Sequence, residues 1–539
     1  SLRIQTSWSP RARPADSPLP AWADGPRRPG AGMLGAMAHR ETAKPSSVRE
    51  DNPAGPTKRR TKIVATIGPA SDRPDTLRAM AAAGMDVARV TLAHGTTAEA
   101  VGRVRRLREI VPKVGIMVDL PGPKIRTAPF ADGGVAMIPG DEVLIVADGD
   151  GTESSASRIG VSYPPLLEGL EPGDPVALGD GAVSMVVTGR NASGVVAKVR
   201  SGGVVQGRPG VTAPAERFSL VTPTPEDLER VDILVREEID FIAVSFVRSA
   251  ADLAAVRLAA MRSAERVAGS ATPMLVAKIE TPEAVADLDA IVAVADAVMV
   301  ARGDLGVRMA LEDVPHIQKR IIRSGVRYGR PVITATQMLE SMVSASVPTR
   351  AEVTDVANAV LDGTSAVMLS GETAVGVNPI GVVTTMARIA RRAEREFDYL
   401  GWGADLGAQE VAGNTFSPAR ITAATTAAGW RAAIEEDAAT VIACTRSGAT
   451  ARAIARFRPS MPIVAVTPSD RTARQLTLSW GVDTLVVGEA ASTDEIVWFA
   501  VQAAVRAGFA KSGDVVVVLA GSPTEPEPAT DTLRLVRIR

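Results

Sequence analysis

Two short apolar runs decide the fold, MLVAKIE at Met274–Glu280 and AVMVARGD at Ala297–Asp304. Both runs are continuous rather than alternating, which is typical of strands that are buried on both faces of a parallel sheet. Both also end in charged residues, and charges at the end of a buried strand are costly unless they are paired or used. The pair therefore predicts two strands of one parallel sheet with a functional site at their carboxyl ends.

Six further runs of the same kind lie on either side of this pair, with amphipathic stretches such as Pro74–Ala83 and Leu311–Tyr328 between strands. The runs are Lys62–Gly68, Val87–Leu92, Val114–Leu120, Phe241–Phe246, Pro331–Gln337 and Ser365–Gly371. Eight strand-plus-helix units predict a (β/α)8 TIM barrel. Its two parts are residues 58–126 and 218–398.

Residues 127–217 interrupt the barrel with short apolar runs separated by Gly-Asp turns, which predicts an inserted antiparallel β domain. Because the insertion follows the third strand, we expect this antiparallel β-barrel to cover the carboxyl face of the TIM barrel as a lid. From residue 399 to 539, apolar runs alternate with helical stretches again, which predicts a C-terminal open α/β domain.

Residues 1–57 are rich in Pro, Gly, Ser and Arg and show no apolar periodicity. Such a segment buries too little surface to offset its ordering entropy, so we expect a disordered tail. An Arg-rich, acid-poor transit peptide is the alternative. A start of translation at Met33 or Met37 would remove most of the tail.

The composition excludes several classes of protein. The net charge of −1 gives no overall attraction to nucleic acid or to a membrane surface, and aromatic residues make up only 3% of the chain. One cysteine, Cys444, excludes a disulfide framework and indicates a reducing, cytoplasmic location. Three histidines (His39, His94 and His316) leave little material for a histidine metal site. No apolar run is long enough to span a membrane.

Polar residues gather at the carboxyl ends of the predicted strands. Lys278 and Glu280 lie two apart, so their side chains project from the same face of one strand. With Asp304 of the next strand, Glu280 supplies two carboxylates that suit Mg²⁺, which takes few protein ligands. The alternative is a Lys278–Glu280 ion pair that closes the barrel end without a metal.

Motifs in a fixed order strengthen this interpretation. TKIVATIGPAS, DLPGPKIRT, KIETPEAV, MVARGDLGV, ITATQMLESM and MLSGETA follow one another from residue 61 to residue 374. From Lys58 to the C-terminus the chain resembles the pyruvate kinase family, in which a barrel carries a lid domain and a regulatory domain. The resemblance implies transfer of a phosphoryl group from phosphoenolpyruvate to ADP, giving ATP and pyruvate in the last step of glycolysis.

The resemblance also implies roles for individual residues. Glu280 and Asp304 would hold Mg²⁺ or Mn²⁺, and Lys278 would neutralise charge on the transferred phosphoryl group. Arg89 would bind the phosphate with Ser245 nearby, the amides of Gly303 and Asp304 would take the carboxylate, and Thr336 would lie near the carbon that is protonated. A homotetramer is the assembly that the family implies.

The sequence departs from the family at the site of a monovalent cation. Of the positions that usually hold K⁺, Thr91 and Asp119 keep a side-chain oxygen, whereas Ala93 and Leu120 have none. Lys124 stands where the family usually has Glu, so a fixed ammonium group would replace the cation and make the enzyme independent of K⁺. A solvated loop lysine is the alternative.

The lid departs further. Only one of two acidic residues remains in Gly179-Asp180-Gly181, a basic pair has become Arg208-Pro209, and Glu226 replaces a lysine. These losses lie on the nucleotide side and put ordinary ADP affinity in question.

In the C-terminal domain, CTRSGATAR at Cys444–Arg452 follows a predicted strand and opens a helix. Its Thr445, Ser447, Gly448 and Thr450 could hold a phosphate at the helix N-terminus. The resemblance to the pyruvate kinase family implies that this phosphate belongs to an allosteric effector, either a sugar phosphate or a nucleotide. An ordinary helix cap is the alternative.

Three hypotheses follow. The first is an active pyruvate kinase that is independent of K⁺, and the second is a catalytically weakened paralogue that senses metabolites. The third is another transferase that uses phosphoenolpyruvate on the same barrel.

Overall fold

The computed structural model describes residues 58–93, 95–123, 125–148, 151–179, 181–214, 221–266, 272–411, 420–522 and 529–539. The predicted disordered tail, residues 1–57, lies outside these ranges. Strands and helices are numbered along the chain.

Eight strands form the predicted barrel, and every neighbouring pair is parallel. They are β1 (Lys62–Thr66), β2 (Val87–Thr91), β3 (Gly115–Leu120), β12 (Phe241–Val244), β13 (Met274–Ile279), β14 (Ala297–Ala301), β15 (Val332–Ala335) and β16 (Ala366–Leu369). The barrel closes in the order β1-β16-β15-β14-β13-β12-β3-β2. Each of the eight predicted runs contains one of these strands, so the TIM barrel prediction is confirmed.

Helices follow the barrel strands along the chain. They are α1 (Pro74–Ala83), α2 (Thr97–Ile110), α4 (Pro225–Val235), α5 (Ala250–Glu265), α6 (Pro282–Ala286), α7 (Leu288–Val294), α8 (Arg302–Arg308), α9 (Val314–Tyr328), α10 (Arg350–Leu361), α11 (Gly371–Ala374) and α12 (Pro379–Glu394). Helices α2, α4 and α10 each begin with a capping box, in which Thr96, Thr224 or Thr349 exchanges hydrogen bonds with an acidic residue three positions later. No helix within the described ranges is long and apolar enough to cross a membrane.

Apolar side chains fill the barrel. Val64, Met117, Phe241 and Met299 belong to the interior cluster, and each has no exposed surface. Leu478 of the C-terminal domain belongs to the same cluster and is also fully buried. The interior is therefore a packed core, and a residue from another domain contributes to it.

The lid lies between β3 and β12 in the chain. Its strands are β4 (Phe130–Met137), β5 (Glu142–Ala147), β6 (Arg158–Val161), β7 (Pro175–Leu178), β8 (Val183–Asn191), β9 (Gly194–Ser201), β10 (Gly203–Gly207) and β11 (Val211–Thr212), with helix α3 (Pro164–Gly169). A six-stranded sheet has the order β11-β7-β8-β9-β5-β6, and β10 pairs with β4. Pairing is antiparallel except between β5 and β6, which are parallel. The inserted β domain is therefore confirmed, with one parallel pair that the sequence did not predict.

The C-terminal domain is the predicted open α/β sheet. Its elements are α13 (Tyr399–Val411), α14 (Arg420–Glu435), β17 (Thr440–Cys444), α15 (Ala449–Ala455), β18 (Ile463–Thr467), α16 (Asp470–Gln475), β19 (Val482–Val486), α17 (Thr493–Arg506), β20 (Val515–Ala520) and β21 (Thr532–Arg537). The sheet order is β19-β18-β17-β20-β21, and only β21 is antiparallel to its neighbour.

Buried charges join this domain to the amino-terminal end of the barrel. Asp240, directly before β12, has no exposed surface and accepts hydrogen bonds from Arg108 of the barrel and Arg474 of α16. Arg458 donates to the carbonyl oxygen of Thr364, at a distance of 2.8 Å. Because Asp240 and Arg458 are buried and hydrogen-bonded, the contact between the two domains is specific in geometry.

Candidate active site

Four predicted site residues meet at the carboxyl ends of β2, β3, β12 and β13. Nε and Nη2 of Arg89 each lie 2.7 Å from Oδ2 of Asp119. Lys278 Nζ donates to Ser245 Oγ at 2.6 Å and lies 3.3 Å from Oδ1 of Asp119. Ser245 Oγ donates to the same carboxylate oxygen at 3.3 Å. The sequence placed these residues at strand ends, and the structure joins them into one network.

Asp119 is the centre of this network, and its side chain is only 3% exposed. Burial by itself would raise its pKa, but the charges of Lys278 and Arg89 outweigh burial and hold the pKa of Asp119 below its ordinary value. Asp119 is therefore ionised at neutral pH and holds both cations in position.

Lys278 is enclosed by two carboxylates, since its Nζ also lies 2.8 Å from Oε1 of Glu280. Burial favours the neutral amine, but Asp119 and Glu280 more than offset burial and raise the pKa of Lys278 above its ordinary value. The side chain is therefore a permanent cation at neutral pH. Such a group can stabilise developing negative charge without first moving a proton.

The two predicted metal ligands lie at the ends of neighbouring strands. Glu280 follows β13 directly and has no exposed surface, and Asp304 lies in α8, directly after β14. Burial raises the pKa of Glu280, and the like charge of Asp304 raises it further, against the opposing effect of Lys278. A carboxylate such as Glu280, whose ionisation is opposed by burial and by a neighbouring carboxylate, is well suited to a divalent cation.

The donor set fits a divalent cation that is only partly enclosed by protein. Glu280 Oε2 accepts a hydrogen bond from the amide of Phe246 at 2.7 Å, whereas its buried Oε1 receives no well-aligned hydrogen bond. Across the described ranges, no group of three or more His, Cys, Asp or Glu side chains could hold a metal ion. Two carboxylates leave positions for substrate oxygens and water, as Mg²⁺ and Mn²⁺ require. The Lys278–Glu280 ion pair considered as the alternative is present in the structure.

Thr336 lies one residue beyond β15 with a φ of 68°, which is rare for a β-branched residue. Its Oγ1 accepts a hydrogen bond from the amide of Gly303 at 2.8 Å and donates to the carbonyl oxygen of Ala335 at 2.6 Å. The structure thus brings together the two predicted residues Thr336 and Gly303. A left-handed backbone held by surrounding contacts is common at functional sites.

Arg302 is a supporting residue that the sequence analysis missed. Its guanidinium donates to the carbonyl oxygens of Ala335 and Thr336 at 3.1 and 2.7 Å, and to Asp355 at 2.7 Å. These bonds hold the left-handed backbone at Thr336 in place. The motif ARGD contained this arginine, but nothing local in the sequence showed that its side chain reaches the next strand.

The monovalent-cation positions are only partly described. Thr91 Oγ1 accepts a hydrogen bond from the amide of Ala93 at 3.2 Å, and Asp119 is occupied by the network above. Ala93 contributes its carbonyl oxygen to Arg126 at 2.9 Å. Lys124, the predicted replacement for K⁺, lies outside the described residues.

The lid residues that depart from the family are held by local contacts. Arg208 donates from Nε to the carbonyl oxygen of Thr127 at 3.1 Å and lies 3.5 Å from Asp148. Pro209 accepts from the amide of Thr127 at 3.1 Å. Glu226 is exposed at the start of α4, where its own amide and Thr224 lower its pKa. Asp180 lies outside the described residues.

The predicted effector loop connects β17 to α15 and borders a cavity of about 530 Å³. Gly448 has a φ of 82°, and its amide donates to Thr445 Oγ1 at 2.9 Å. The hydroxyl groups of Thr450 and Thr530 lie 2.8 Å apart. Thr445, Ser447 and Thr450 all line the cavity, together with barrel residues Tyr328 to Arg330. Gly448 itself is not part of the lining.

Arg452 was not predicted, although it also lines this cavity. Its Nη2 donates to the carbonyl oxygen of Ser447 at 3.1 Å, while its Nη1 is buried without a hydrogen bond. Burial lowers the pKa of Arg452 to about 10. Cys444 also borders the cavity, and burial raises the pKa of its thiol to about 12, as expected of a structural residue rather than a nucleophile.

Comparison with known proteins agrees with this arrangement. The family described as pyruvate kinase, barrel domain, matches residues 58–383, and the family described as pyruvate kinase, alpha/beta domain, matches residues 423–536. The chain is 38% identical over 480 residues to a pyruvate kinase of Clostridium acetobutylicum, covering 88% of this chain and 99% of that one.

Two further relatives give the same result. A pyruvate kinase of Geobacillus stearothermophilus is 41% identical over 487 residues, which is 89% of this chain and 80% of the relative. A pyruvate kinase of Methylorubrum extorquens is 39% identical over 482 residues, which is 88% of this chain and 97% of the relative. With the barrel, the lid and the strand-end network in place, the chain belongs to the pyruvate kinase family of transferases.

Proposed function

We propose that this protein transfers the phosphoryl group of phosphoenolpyruvate to ADP, giving ATP and pyruvate. The bond between phosphorus and the enol oxygen breaks, and a bond forms between phosphorus and a terminal β-phosphate oxygen of ADP. The enolate that remains takes up a proton at its terminal carbon. The observation that carries the proposal is the buried network of Arg89, Asp119, Lys278 and Glu280.

In this proposal Lys278 lies against the transferred phosphoryl group and the enol oxygen, where negative charge develops. Its charge is fixed in advance by Asp119 and Glu280, so little reorganisation is needed during the reaction. Arg89 binds the phosphate, with its guanidinium oriented by Asp119, and Ser245 orients the ammonium group of Lys278. Phosphoryl transfer depends mainly on positioning and positive charge, and these residues supply both.

The carboxylate of phosphoenolpyruvate is assigned to the amides of Gly303 and Asp304 at the start of α8. The amide of Gly303 donates to Thr336 Oγ1 at 2.8 Å, so binding of the carboxylate at this amide would replace that hydrogen bond. The exchange would release the Thr336 hydroxyl near the carbon that is protonated.

Glu280 and Asp304 would hold Mg²⁺ or Mn²⁺. When bound, the cation supplies positive charge to the substrate oxygens during transfer. We also propose that K⁺ is not required, with Lys124, Thr91 and Asp119 at the former cation site. The close contacts of Asp119 with Arg89 and Lys278 support this proposal, because its oxygens already have cationic partners.

The test is a coupled assay that contains phosphoenolpyruvate, ADP and Mg²⁺, with either K⁺ or tetramethylammonium as the monovalent cation. The wild-type protein is expected to turn over both substrates, and chelation of Mg²⁺ is expected to abolish this turnover. Absence of turnover with both substrates and both divalent cations would contradict the proposal.

A metabolite-sensing paralogue is the second candidate. The lid favours it, since Arg208 contacts Asp148 and Thr127 and its neighbour is a proline. Clear binding of phosphorylated ligands without turnover would select it over the first candidate.

We further propose that a phosphorylated effector binds the cavity beside Thr445, Ser447, Gly448 and Thr450. A cytoplasmic homotetramer completes the proposal. Large exposed apolar side chains, including Val377, Leu311 and Trp498, support the assembly, because isolated soluble subunits seldom expose many of them. Light scattering on the purified protein measures the number of subunits.

A further inference from the structure

Arg308, the last residue of α8, lies on the edge of the site that faces the lid. A Cβ atom placed on Gly181 of the lid would lie 4.0 Å from Cγ2 of Val307, the neighbour of Arg308. Arg308 also follows Asp304 by four residues, and residues four apart lie on the same side of a helix. The lid, the metal ligand Asp304 and Arg308 therefore border one region.

The guanidinium of Arg308 lies over an aromatic ring. Its Cζ lies 5.1 Å from the centre of the Phe246 ring, and the amide of Phe246 donates to Glu280 Oε2 at 2.7 Å. Arg308 thus contacts Phe246, which supports the proposed metal ligand Glu280, and shares α8 with the other proposed ligand, Asp304. A cation–π contact orients a guanidinium without neutralising its charge.

Arg308 also differs from the other arginines near the lid. Arg126 donates to carbonyl oxygens of Ala93 and Arg208, and Arg208 is engaged with Thr127 and Asp148. Within the described ranges, Arg308 forms no ion pair, and its Nε is buried without a hydrogen bond. An oriented arginine without an acidic partner, beside a site for phosphorylated substrates, is suited to bind a phosphate oxygen.

We propose that Arg308 is a substrate-binding residue that contacts a phosphate group of the substrate held between the lid and α8. The inference rests on the proposed function. The phosphate belongs either to phosphoenolpyruvate or to ADP, and the two sources share the same chemistry of a charge-assisted hydrogen bond to a phosphate oxygen. Arg308 would supply positive charge that the lid, with Pro209, does not.

The test compares Arg308→Gln, Arg308→Lys and the control Arg262→Gln, which removes an exposed arginine from α5 on the outer face of the barrel. Steady-state kinetics give kcat and the KM of each substrate. Calorimetry gives the Kd of phosphoenolpyruvate and of ADP in the presence of Mg²⁺. Arg308→Gln is expected to raise the KM and Kd of one substrate by about tenfold or more, since a hydrogen bond between charged groups is lost.

Arg308→Lys is expected to recover most of the affinity, and Arg262→Gln to match the wild type. A change confined to phosphoenolpyruvate assigns the phosphate to that substrate, and a change confined to ADP assigns it to the nucleotide.

Two results would overturn the inference. One is unchanged affinity in Arg308→Gln. The other is an equal fall in kcat in Arg308→Gln and Arg308→Lys while KM and Kd stay constant. That result would show that Arg308 only positions Phe246 and Glu280. A wild-type protein that binds both substrates but does not turn over would refute the proposed function, while the calorimetric comparison would still decide the role of Arg308. A wild-type protein that binds neither substrate would refute both.

Discussion

The strand-end network and the C-terminal loop both present cations near a proposed phosphate. The cation of the network is paired with carboxylates, whereas the cation beside the loop is only partly hydrogen-bonded. Lys278 has Asp119 and Glu280 within 3.3 Å, and together they raise its pKa. Arg452 has a buried Nη1 without a hydrogen bond, and burial lowers its pKa to about 10.

The difference indicates two kinds of binding site. A cation that is already compensated keeps its position whether or not the substrate is bound, as a catalytic group must. A buried cation with an unsatisfied nitrogen carries an electrostatic cost that a bound anion would relieve, so anion binding at Arg452 would stabilise the C-terminal domain. The predictions below test this contrast, from the largest expected effect to the smallest.

Lys278→Arg is expected to lower kcat by about 100-fold to 1,000-fold, while the fold is retained. A planar guanidinium cannot replace a compact ammonium group between two carboxylates and a phosphoryl group. Coupled kinetics and circular dichroism measure the two effects, and Lys511→Arg on the exposed surface is the control. A variant that retains most wild-type activity would remove Lys278 from the proposed mechanism.

Asp119→Asn is expected to lower the free energy of unfolding at neutral pH by about 3–5 kcal/mol, because Lys278 and Arg89 lose their shared buried partner. The pKa of Asp119 is lowered by folding, so its contribution is present above the unfolded-state pKa and is lost as the pH falls through the folded-state value. Urea unfolding at several pH values should therefore show a difference between variant and wild type that shrinks toward strongly acidic pH.

The control for this measurement is Asp75→Asn, which removes an exposed ion pair with Arg78. Little change in stability is expected there. Equal stability of Asp119→Asn and the wild type at neutral pH would show that the network does not hold its cations in the way described.

Arg452→Met is expected to weaken the binding of inorganic phosphate, used as a probe of the C-terminal cavity, by about tenfold. Without phosphate the variant should be as stable as the wild type or slightly more stable, because a buried cation is replaced by an apolar chain. Thermal unfolding across a phosphate titration measures both effects, with Arg431→Gln as the surface control. If phosphate stabilised the variant as much as the wild type, Arg452 would not bind the anion, and the proposed difference between Arg452 and Lys278 would be contradicted.

The smallest effect expected is that of K⁺ itself. Wild-type rates should be equal in K⁺ and in tetramethylammonium, and Lys124→Glu should make the rate depend on K⁺. Coupled assays at constant ionic strength compare the cations. Strong activation of the wild type by K⁺ would contradict the proposal that Lys124 replaces the cation.

The barrel could be predicted because its signal is local. Each strand is a continuous apolar run, and the spacing of Lys278 and Glu280 places both at one strand end without any knowledge of the rest of the chain. The predicted runs nevertheless extend past the strands, as in AVMVARGD, where β14 ends at Ala301 and Arg302 already begins α8. The site residues Gly303 and Asp304 lie in this last part of the predicted run, directly after the strand has ended.

The remaining features could not be predicted because they depend on contacts between distant segments. The left-handed backbone of Thr336 is held by Arg302 from the preceding strand-helix unit, and Arg308 meets Phe246 across the barrel end. Arg452 could be identified as a candidate binding residue only from the cavity that it lines, which segments distant in the chain form together. The domain boundaries at residues 126, 217 and 398 stay predictions.

Leu478 gives the architecture a consequence for how the chain is made. Its side chain lies in the interior core of the barrel, although it is encoded more than a hundred residues after the last barrel strand. Domains generally fold in the order in which they leave the ribosome, but this barrel lacks part of its own core until the C-terminal domain has been synthesised. During translation the barrel would therefore keep an unfilled position in its interior core until Leu478 has been synthesised. Premature termination before residue 478 should leave a catalytic domain that cannot mature on its own.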